Sequence, residues 1–473
     1  MSKYKKLAVN SIVFAIGNLG SKLISFILLP LYTYYLTKSE FGTVDLLTNT
    51  LSLLLPIFTL SVFDAILRFA MERGQDHKAV LTNALAVTLV GFLISGLLYP
   101  AVVIFFPFPK LIFFLYVLFF LQSINSCLSQ FVRALGKVKL FSSLGMVGAF
   151  VVLISNILFL SILHWGIEGY IISLIISNFV CFIVVFIFGD IKKNVHIGSV
   201  NIGILRMMLL YSLPLIPNSL MWWIMSLSDR YVISFFLGVG ANGLYAVASK
   251  IPNLLNVINS IFFQAWQMSA IEEDVSKDKS EFYTNIFSIY STLLLIFTSV
   301  MIALTKFLMK FIVSAEYFES WRYVPFLLLG VVFSSFSSFV GTNYIANKNT
   351  AGIFKTSLWG AIINIVLNLI LIPIIGINGA AISTMISFAI IWILRTKGTK
   401  KHVTIAVNLR KCILTLIILL LQILVLYSNL TYSYLLHLVS VVFIVSLSKK
   451  EVFLIYQKLN FQFKKKFNKN LGV

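Results

Sequence analysis

The stretch GIEGYIIS (166–173) returns about 210 residues later as GINGAAIS (376–383), and each copy follows an Asn-containing apolar run, NILFLSI (156–162) and NLILIPI (368–374). A second pair lies at nearly the same offset: EFGTVDLLTNTL (40–51) aligns with ANGLYAVASKIP (241–252), matching Gly42 to Gly243 and Thr48 to Ser249. A third joins VRALGKVKLFSSLG (132–145) to IANKNTAGIFKTSLWG (345–360), with Phe141 and Phe354 in register. Three paired blocks in one order imply a body built twice from one plan.

Composition names the medium of that body. Hydrophobic residues make up 59% of the chain and charged residues only 11%, with 43 Phe in 473 residues, and the mean hydropathy is +0.97. Soluble domains carry about a quarter of charged residues, so this chain belongs in a bilayer. Apolar runs long enough to span, roughly 20 residues each, fall near 9–32, 42–68, 80–105, 111–134, 141–164, 167–189, 205–231, 243–268, 284–307, 323–346, 353–375, 377–397, 411–428 and 432–448. About fourteen transmembrane helices are therefore expected, the last two outside the repeat. Strands of a membrane barrel would alternate in short segments, and nothing here does. The first run is too long and too poor in small residues at its end for a cleavable signal peptide, so it reads as the first span.

Cationic loops resist translocation. With the amino terminus inside, most loop cations, among them Lys5, Lys78, Lys137, Lys192 and Lys401, fall on the cytoplasmic side, so both termini are expected there. This asymmetry and anionic lipid headgroups account for the formal charge of +21, and nucleic acid need not be invoked. The expected organisation is a six-helix lobe over 1–190, a cytoplasmic linker 191–204, a second six-helix lobe 205–397, a cytoplasmic loop 398–410, two extra helices 411–448 and a basic cytoplasmic tail 449–473. Six spans per unit is an even number, so the halves enter the membrane with the same orientation. Parallel repeats of this kind put the substrate path between halves and work by rocking, which makes a transporter the natural reading. Pro30, Pro56, Pro214, Pro217, Pro252 and Pro373 lie in or at the ends of spans as candidate hinges, with tolerated proline as the plain alternative.

Chemistry in the loops is sparse. No GxxxxGK[ST] occurs, so nucleotide hydrolysis on this chain is not expected. The five His are scattered without metal-site spacing, and Cys127, Cys181 and Cys412 lie inside expected helices as small apolar side chains. The informative residues are ionisable groups within the apolar runs, each costing roughly 2.5–3.5 kcal/mol at a helix centre. Lys22 lies in the first span; Asp45, Asp64 and Arg68 in the second; Asp229 and Arg230 follow WWIMSLS in the seventh; Lys250 lies in the eighth. Asp64 and Arg68, at i and i+4, share a helix face and could pair. These positions come from corresponding spans of the two halves, so the cations are expected to face a cavity and meet water, carboxylates or an anionic substrate. A closed surface pair for Asp64 with Arg68, or a headgroup location for Asp229 with Arg230, is the bland alternative.

The stretches SIVFAIGNLGSKLISFILLPLYTYYLTKSEFG (11–42) and LPLIPNSLMWWIMSLSDRYVISFFLGVGANGLYAVASKI (213–251), with the paired GI-x-G-xx-IS elements, resemble the polysaccharide transporters of the MOP superfamily. The type they are most similar to is the Wzx-like flippase of O-antigen or capsule repeat units, related to the MATE exporters. The likeness covers nearly the whole chain, and only the SDRYVIS to ASKI block is fairly specific. It implies an all-α polytopic membrane protein with two MATE-like lobes in a bacterial inner membrane. Its cargo would be an undecaprenyl-pyrophosphate-linked oligosaccharide, turned from the cytoplasmic to the outer leaflet, with coupling to H+ or Na+ left open and no other cofactor. A polysaccharide polymerase and a chain-length regulator are the partners it suggests. Asp229, Arg230 and Lys250 match the family's second-lobe pattern and Arg68 its basic residue near the end of the second span; Lys22 and Asp45 extend the set by position.

The substrate chemistry is consistent with the charge pattern. Arg68 and Arg230 can hold phosphate oxygens bidentately, and Lys22 and Lys250 act as point charges. Asp45, Asp64 and Asp229 would balance those cations and take up the coupling ion. A MATE-type exporter of organic cations is the alternative transporter, for which a net acidic cavity is expected. A membrane polysaccharide polymerase or glycosyltransferase would need a long outer loop that is lacking here, and an assembly scaffold without transport is a further class. The tail 449–470 mixes Phe and Leu with Lys and is either an amphipathic surface helix or the topological anchor of the last span.

Overall fold

A computed structural model describes residues 3–72, 74–105, 109–272, 278–346, 350–400, 403–428, 430–453 and 457. Among them helices account for all the regular structure, and the chain divides into two compact units, Met1–Lys250 with Val313–Tyr317 and Ile251–Ile312 with Phe318–Val473.

The first unit contains α1 (Lys3–Tyr35), α2 (Lys38–Phe58), α3 (Val62–Ala70), α4 (His77–Leu97), α5 (Tyr99–Phe105), α6 (Pro109–Ala134), α7 (Val138–Asn156), α8 (Gly166–Phe188), the single turn α9 (Ile191–Asn194), α10 (Ile202–Ser212), α11 (Leu215–Leu227), α12 (Asp229–Leu237) and α13 (Val239–Ala248). The second contains α14 (Lys250–Glu272), whose first residue still belongs to the first unit, α15 (Lys279–Ile312), α16 (Val324–Ala346), α17 (Thr350–Ile375), α18 (Ile377–Thr399), α19 (Leu409–Tyr427) and α20 (Ser433–Leu447). Each of the fourteen expected spans falls on one helix or on two or three consecutive ones, with short breaks such as residues 59–61 between α2 and α3, and among the described residues eleven segments are long and apolar enough to cross a membrane. The protein is an all-α polytopic membrane protein.

Only some of the candidate hinges interrupt a helix. Pro214 separates α10 from α11, whereas Pro30, Pro56 and Pro373 sit inside continuous helices. Pro217 and Pro252 occupy first helical turns, where the missing N–H would have had no partner anyway. The π-helical turn Ile157–Ile162 extends α7 through the NILFLSI run.

The first glycines of the repeated element share a positive φ. Gly166 and Gly376 both turn the chain between spans with positive φ, +56° and +65°, a region that admits glycine at little cost. Three residues on, a Cβ on Gly169 would stand 2.9 Å from the Phe159 Cβ, and one on Gly379 would stand 2.5 Å from the Leu371 carbonyl carbon. The GI-x-G element is thus a turn followed by a close helix approach, used twice.

The core of the first unit gathers Val62, Ile66, Val80, Leu81, Leu128 and Phe131 from α3, α4 and α6. Cys127 is buried among them, 3.2 Å from the Thr88 hydroxyl. The second unit packs on stacked aromatics, with Phe262 against Tyr290 at 4.0 Å and Trp266 against Phe339 at 4.2 Å between ring centroids. The first of the two helices outside the repeat, α19, is held to α15 by polar contacts: Gln422 donates to the Ser299 carbonyl (2.9 Å) and accepts from its hydroxyl (2.8 Å), and Lys411 bonds Thr292 (3.0 Å). Lys411 also pairs with Glu451 at 2.8 Å. Beyond residue 453 the expected tail helix lies, apart from residue 457, outside the described residues.

Candidate functional site

The second repeated block builds the site. Gly42 of α2 and Gly243 of α13, aligned by the duplication, are where those two helices cross: a Cβ on Gly42 would strike the Val239 carbonyl, and one on Gly243 the Lys38 carbonyl. Small residues at a crossing let helix backbones approach in lipid. The start of α2 is fixed by a capping box in which the Thr37 hydroxyl accepts from the Glu40 amide (3.3 Å) and Glu40 accepts from the Thr37 amide (2.9 Å).

That crossing brings together residues far apart in sequence. Asp45, one turn after Gly42, accepts on Oδ2 from Arg230 Nε (2.8 Å), Asn49 Nδ2 (3.1 Å) and Asn242 Nδ2 (3.4 Å). Arg230 also donates from Nη1 to the Ser226 carbonyl (3.1 Å) and to Asp229 Oδ1 (3.3 Å), and its guanidinium lies 5.5 Å from the Tyr245 ring. Asp229 takes further bonds from the Arg230 amide (2.9 Å) and the Tyr245 hydroxyl. Asp229 and Arg230 are 2% and 8% exposed. Neighbouring contacts tie α11 and α12 to α2: Trp223 Nε1 donates to the Asn49 carbonyl (3.0 Å), and the Tyr231 and Thr50 hydroxyls meet at 2.7 Å.

Two carboxylates thus enclose one guanidinium, and Arg230 has most of its fork committed. The balancing charge is Lys250 at the first turn of α14. It is half-buried with its ammonium 5.8 Å from the centre of the Phe41 ring, and it forms no ion pair among the described residues. It senses Asp45, Arg230 and Lys22 electrostatically, and Lys22 is exposed on α1. Asp45, Asp229, Arg230, Lys250 and Lys22 together carry one surplus positive charge.

Two predicted site residues stand apart. The expected pairing of Asp64 with Arg68 is not formed. Arg68, its side chain 62% exposed, turns the other way to Glu72 at 3.4 Å, while Asp64 is half-buried. A long cationic side chain at the end of a short helix reaches outward to the more solvated partner, and such an exposed pair contributes little.

The structure adds residues that charge alone does not single out. Asn242 and Tyr245 complete the network because they lie on α13 beside the glycine crossing; the signal was the repeated block that contains them. Arg395 on α18, in the second unit, is 3% exposed and caged by neutral groups: the Thr356 hydroxyl, the Ser337 carbonyl and the Ser357 hydroxyl, each at 3.1 Å. Its sequence signal is an Arg two residues inside the expected span 377–397.

Comparison with known proteins agrees with this architecture. The family model described as "Polysaccharide biosynthesis protein" matches residues 7–271. No curated protein shows significant sequence similarity to the chain. Among solved structures, the lipid II flippase MurJ in an inward closed conformation superposes with a TM-score of 0.70 at 15% identity, over 96% of this chain and 99% of that one. A multidrug resistance MATE family transporter of the MOP superfamily, inward-facing, gives 0.68 at 13% identity over 82% and 97%. A MOP superfamily transporter from Pyrococcus furiosus, described as having a binding pocket of reverse polarity, gives 0.60 at 13% identity over 84% and 95%. At such identities the likeness is one of fold. The profile match over more than half the chain, together with this fold, places the protein in the polysaccharide biosynthesis protein family.

Proposed function

We propose that the protein is a flippase that moves an undecaprenyl-pyrophosphate-linked oligosaccharide repeat unit, of O-antigen or capsule type, from the cytoplasmic to the outer leaflet by alternating access. The observation that carries this reading is Lys250: a half-buried ammonium with no carboxylate in contact with it among the described residues, beside Asp45 and Asp229, whose ion pairs are made to Arg230. Burying an unpaired cation is expensive, so such a group implies an anion that completes it. Pyrophosphate supplies that anion and itself needs fixed cations in place of its hydration shell.

In this mechanism Lys22 and Lys250 meet the pyrophosphate. Arg230 is held by Asp45 and Asp229 and sets the local potential, becoming available as a fork only if one carboxylate is protonated or binds Na+. Asp64, half-buried and outside the network, is a further candidate for that ion. Arg68 contributes through the surface and not through the site. The moving parts are the two duplicated lobes, 1–190 and 205–397, in a bacterial inner membrane with both termini cytoplasmic. A polymerase and a chain-length regulator would act on the cargo after release, and no catalytic step falls to this chain.

The likeness to a MATE transporter keeps export of organic cations as the second reading, but one surplus positive charge repels such a substrate. The test is the double variant Lys22→Gln/Lys250→Gln in cells, scored for surface polysaccharide and for protein level in the membrane. Loss of the polymer at normal protein level is expected. Normal polymer overturns the flippase reading, and dye efflux by the wild type that the double variant enhances supports the exporter.

A further inference from the structure

Inside the first unit lies a cavity of about 320 Å³ remote from the charged network, lined by Gln122, Asn125, Ser126 and Ser129 of α6, Asn178 of α8 and Leu55 of α2. The four α6 residues stand at i, i+3, i+4 and i+7 and so form one polar stripe on a helix whose first half is mostly Phe, Leu and Ile. We infer that this cavity binds an uncharged sugar ring of the transported glycan; the inference rests on the flippase reading and adds to it the place where the saccharide is recognised.

The side chains that line the cavity carry no formal charge, which suits neither phosphate nor an organic cation. What they offer is amides and hydroxyls. Ser126 and Ser129 send their hydrogens to helix carbonyls, of Gln122 (2.8 Å) and Ser126 (3.1 Å), which leaves their oxygens as acceptors. Asn125 Nδ2 is spent on the Asn178 carbonyl (2.7 Å), so its oxygen remains. The Gln122 carboxamide forms no hydrogen bond to any described side chain or backbone group and can both donate and accept. Polar groups in a membrane helix are costly unless they are satisfied or line a wet cavity. Helix-to-helix glue accounts for Asn125 with Asn178 but not for Gln122 or the serines.

Several acceptors and one amide that can also donate, beside apolar surface, match a pyranose, whose hydroxyl rim donates and whose faces are C–H. The volume is at the lower end of small-molecule sites, which fits a short saccharide and excludes a whole lipid. Leu55 and Asp45 lie on the same helix about 15 Å apart along its axis, so one oligosaccharide can touch the cavity while its pyrophosphate remains at Lys250.

The experiment measures binding to the full-length protein in nanodiscs. Two probes are used: undecaprenyl pyrophosphate, and its oligosaccharide-bearing counterpart extracted from cells that lack this protein. The wild type is expected to bind the glycan-bearing lipid more tightly. Gln122→Leu and, separately, Ser129→Ala should each cut that advantage by about fivefold, one neutral hydrogen bond, with affinity for bare undecaprenyl pyrophosphate unchanged, which also reports an intact fold. Lys250→Gln should weaken both probes together. Equal binding of the two lipids by the wild type, or an advantage retained in both α6 variants, overturns the saccharide site alone. If the wild type binds neither lipid, the flippase reading fails and the saccharide site with it.

Discussion

Asp45→Asn isolates the contact that organises the site. Asp45 Oδ2 stands 2.8 Å from Arg230 Nε, with side chains 14% and 9% exposed. Opposite unit charges at that distance attract by about 6 kcal/mol at an effective dielectric of about 20, and desolvation of both ions offsets much of it. Removing one partner of a buried pair costs about 3–5 kcal/mol because the other charge is stranded. Arg230 keeps Asp229 and the Ser226 carbonyl, so the lower end, about 3 kcal/mol, is expected for Asp45→Asn. Arg230→Gln should cost about as much, since it leaves two carboxylates facing each other. The double variant replaces the pair by neutral amides and should cost little more than either single change, a coupling of about 2–3 kcal/mol. Reversible unfolding of the four proteins in mixed micelles, titrated with sodium dodecyl sulfate, reads all the terms of this cycle. Additivity within about 0.5 kcal/mol refutes the ion pair and with it the claim that Arg230 is engaged and not free for phosphate.

The glycine crossing predicts that Gly243→Ala destabilises by at least about 1–3 kcal/mol through overpacking, since its methyl meets the Lys38 carbonyl; the same unfolding titration measures it, and a neutral effect would mean α2 and α13 do not cross there. Arg395→Lys keeps the charge but loses a fork that reaches three partners; about 2–4 kcal/mol of stability should go with it, read by the same titration. At the end of α8, Lys137 and Lys193 hold Asp190, and its hydrogen bond to Lys137 leads the contacts that keep its carboxyl below the usual range. A lowered folded pKa contributes stability above the unfolded value that is lost only as pH falls through the folded one. The stability contributed by this carboxylate should therefore be flat from pH 8 to 5 and decline only in stronger acid, and Asp190→Asn should remove that acid limb from a series of melting curves.

Legibility differed by kind of feature. The spans, the GI-x-G turns and the paired Gly42 and Gly243 were readable because each depends on a local run or on a repeated local conformation. The membership of the charge cluster was readable in part: Asp45, Asp229, Arg230, Lys250 and Lys22 do come near one another, while Arg68 and Asp64 do not join them. Nothing in the i, i+4 spacing of Asp64 and Arg68 says that Glu72 will offer a better solvated partner. The cavity on α6 was hidden because Gln122, Asn125, Ser126 and Ser129 are neutral, and a neutral stripe acquires meaning only when the helices around it leave space.

Sequence alone determined that this chain is helical and membrane-spanning, because hydrocarbon offers no water to backbone amides and so forces each apolar run to satisfy its own hydrogen bonds. Only the tertiary structure decided which charges are closed and which is open. The Arg230–Asp45 contact spans 185 residues, and whether a buried cation has a counter-ion depends on which helices cross, a property that no single segment carries.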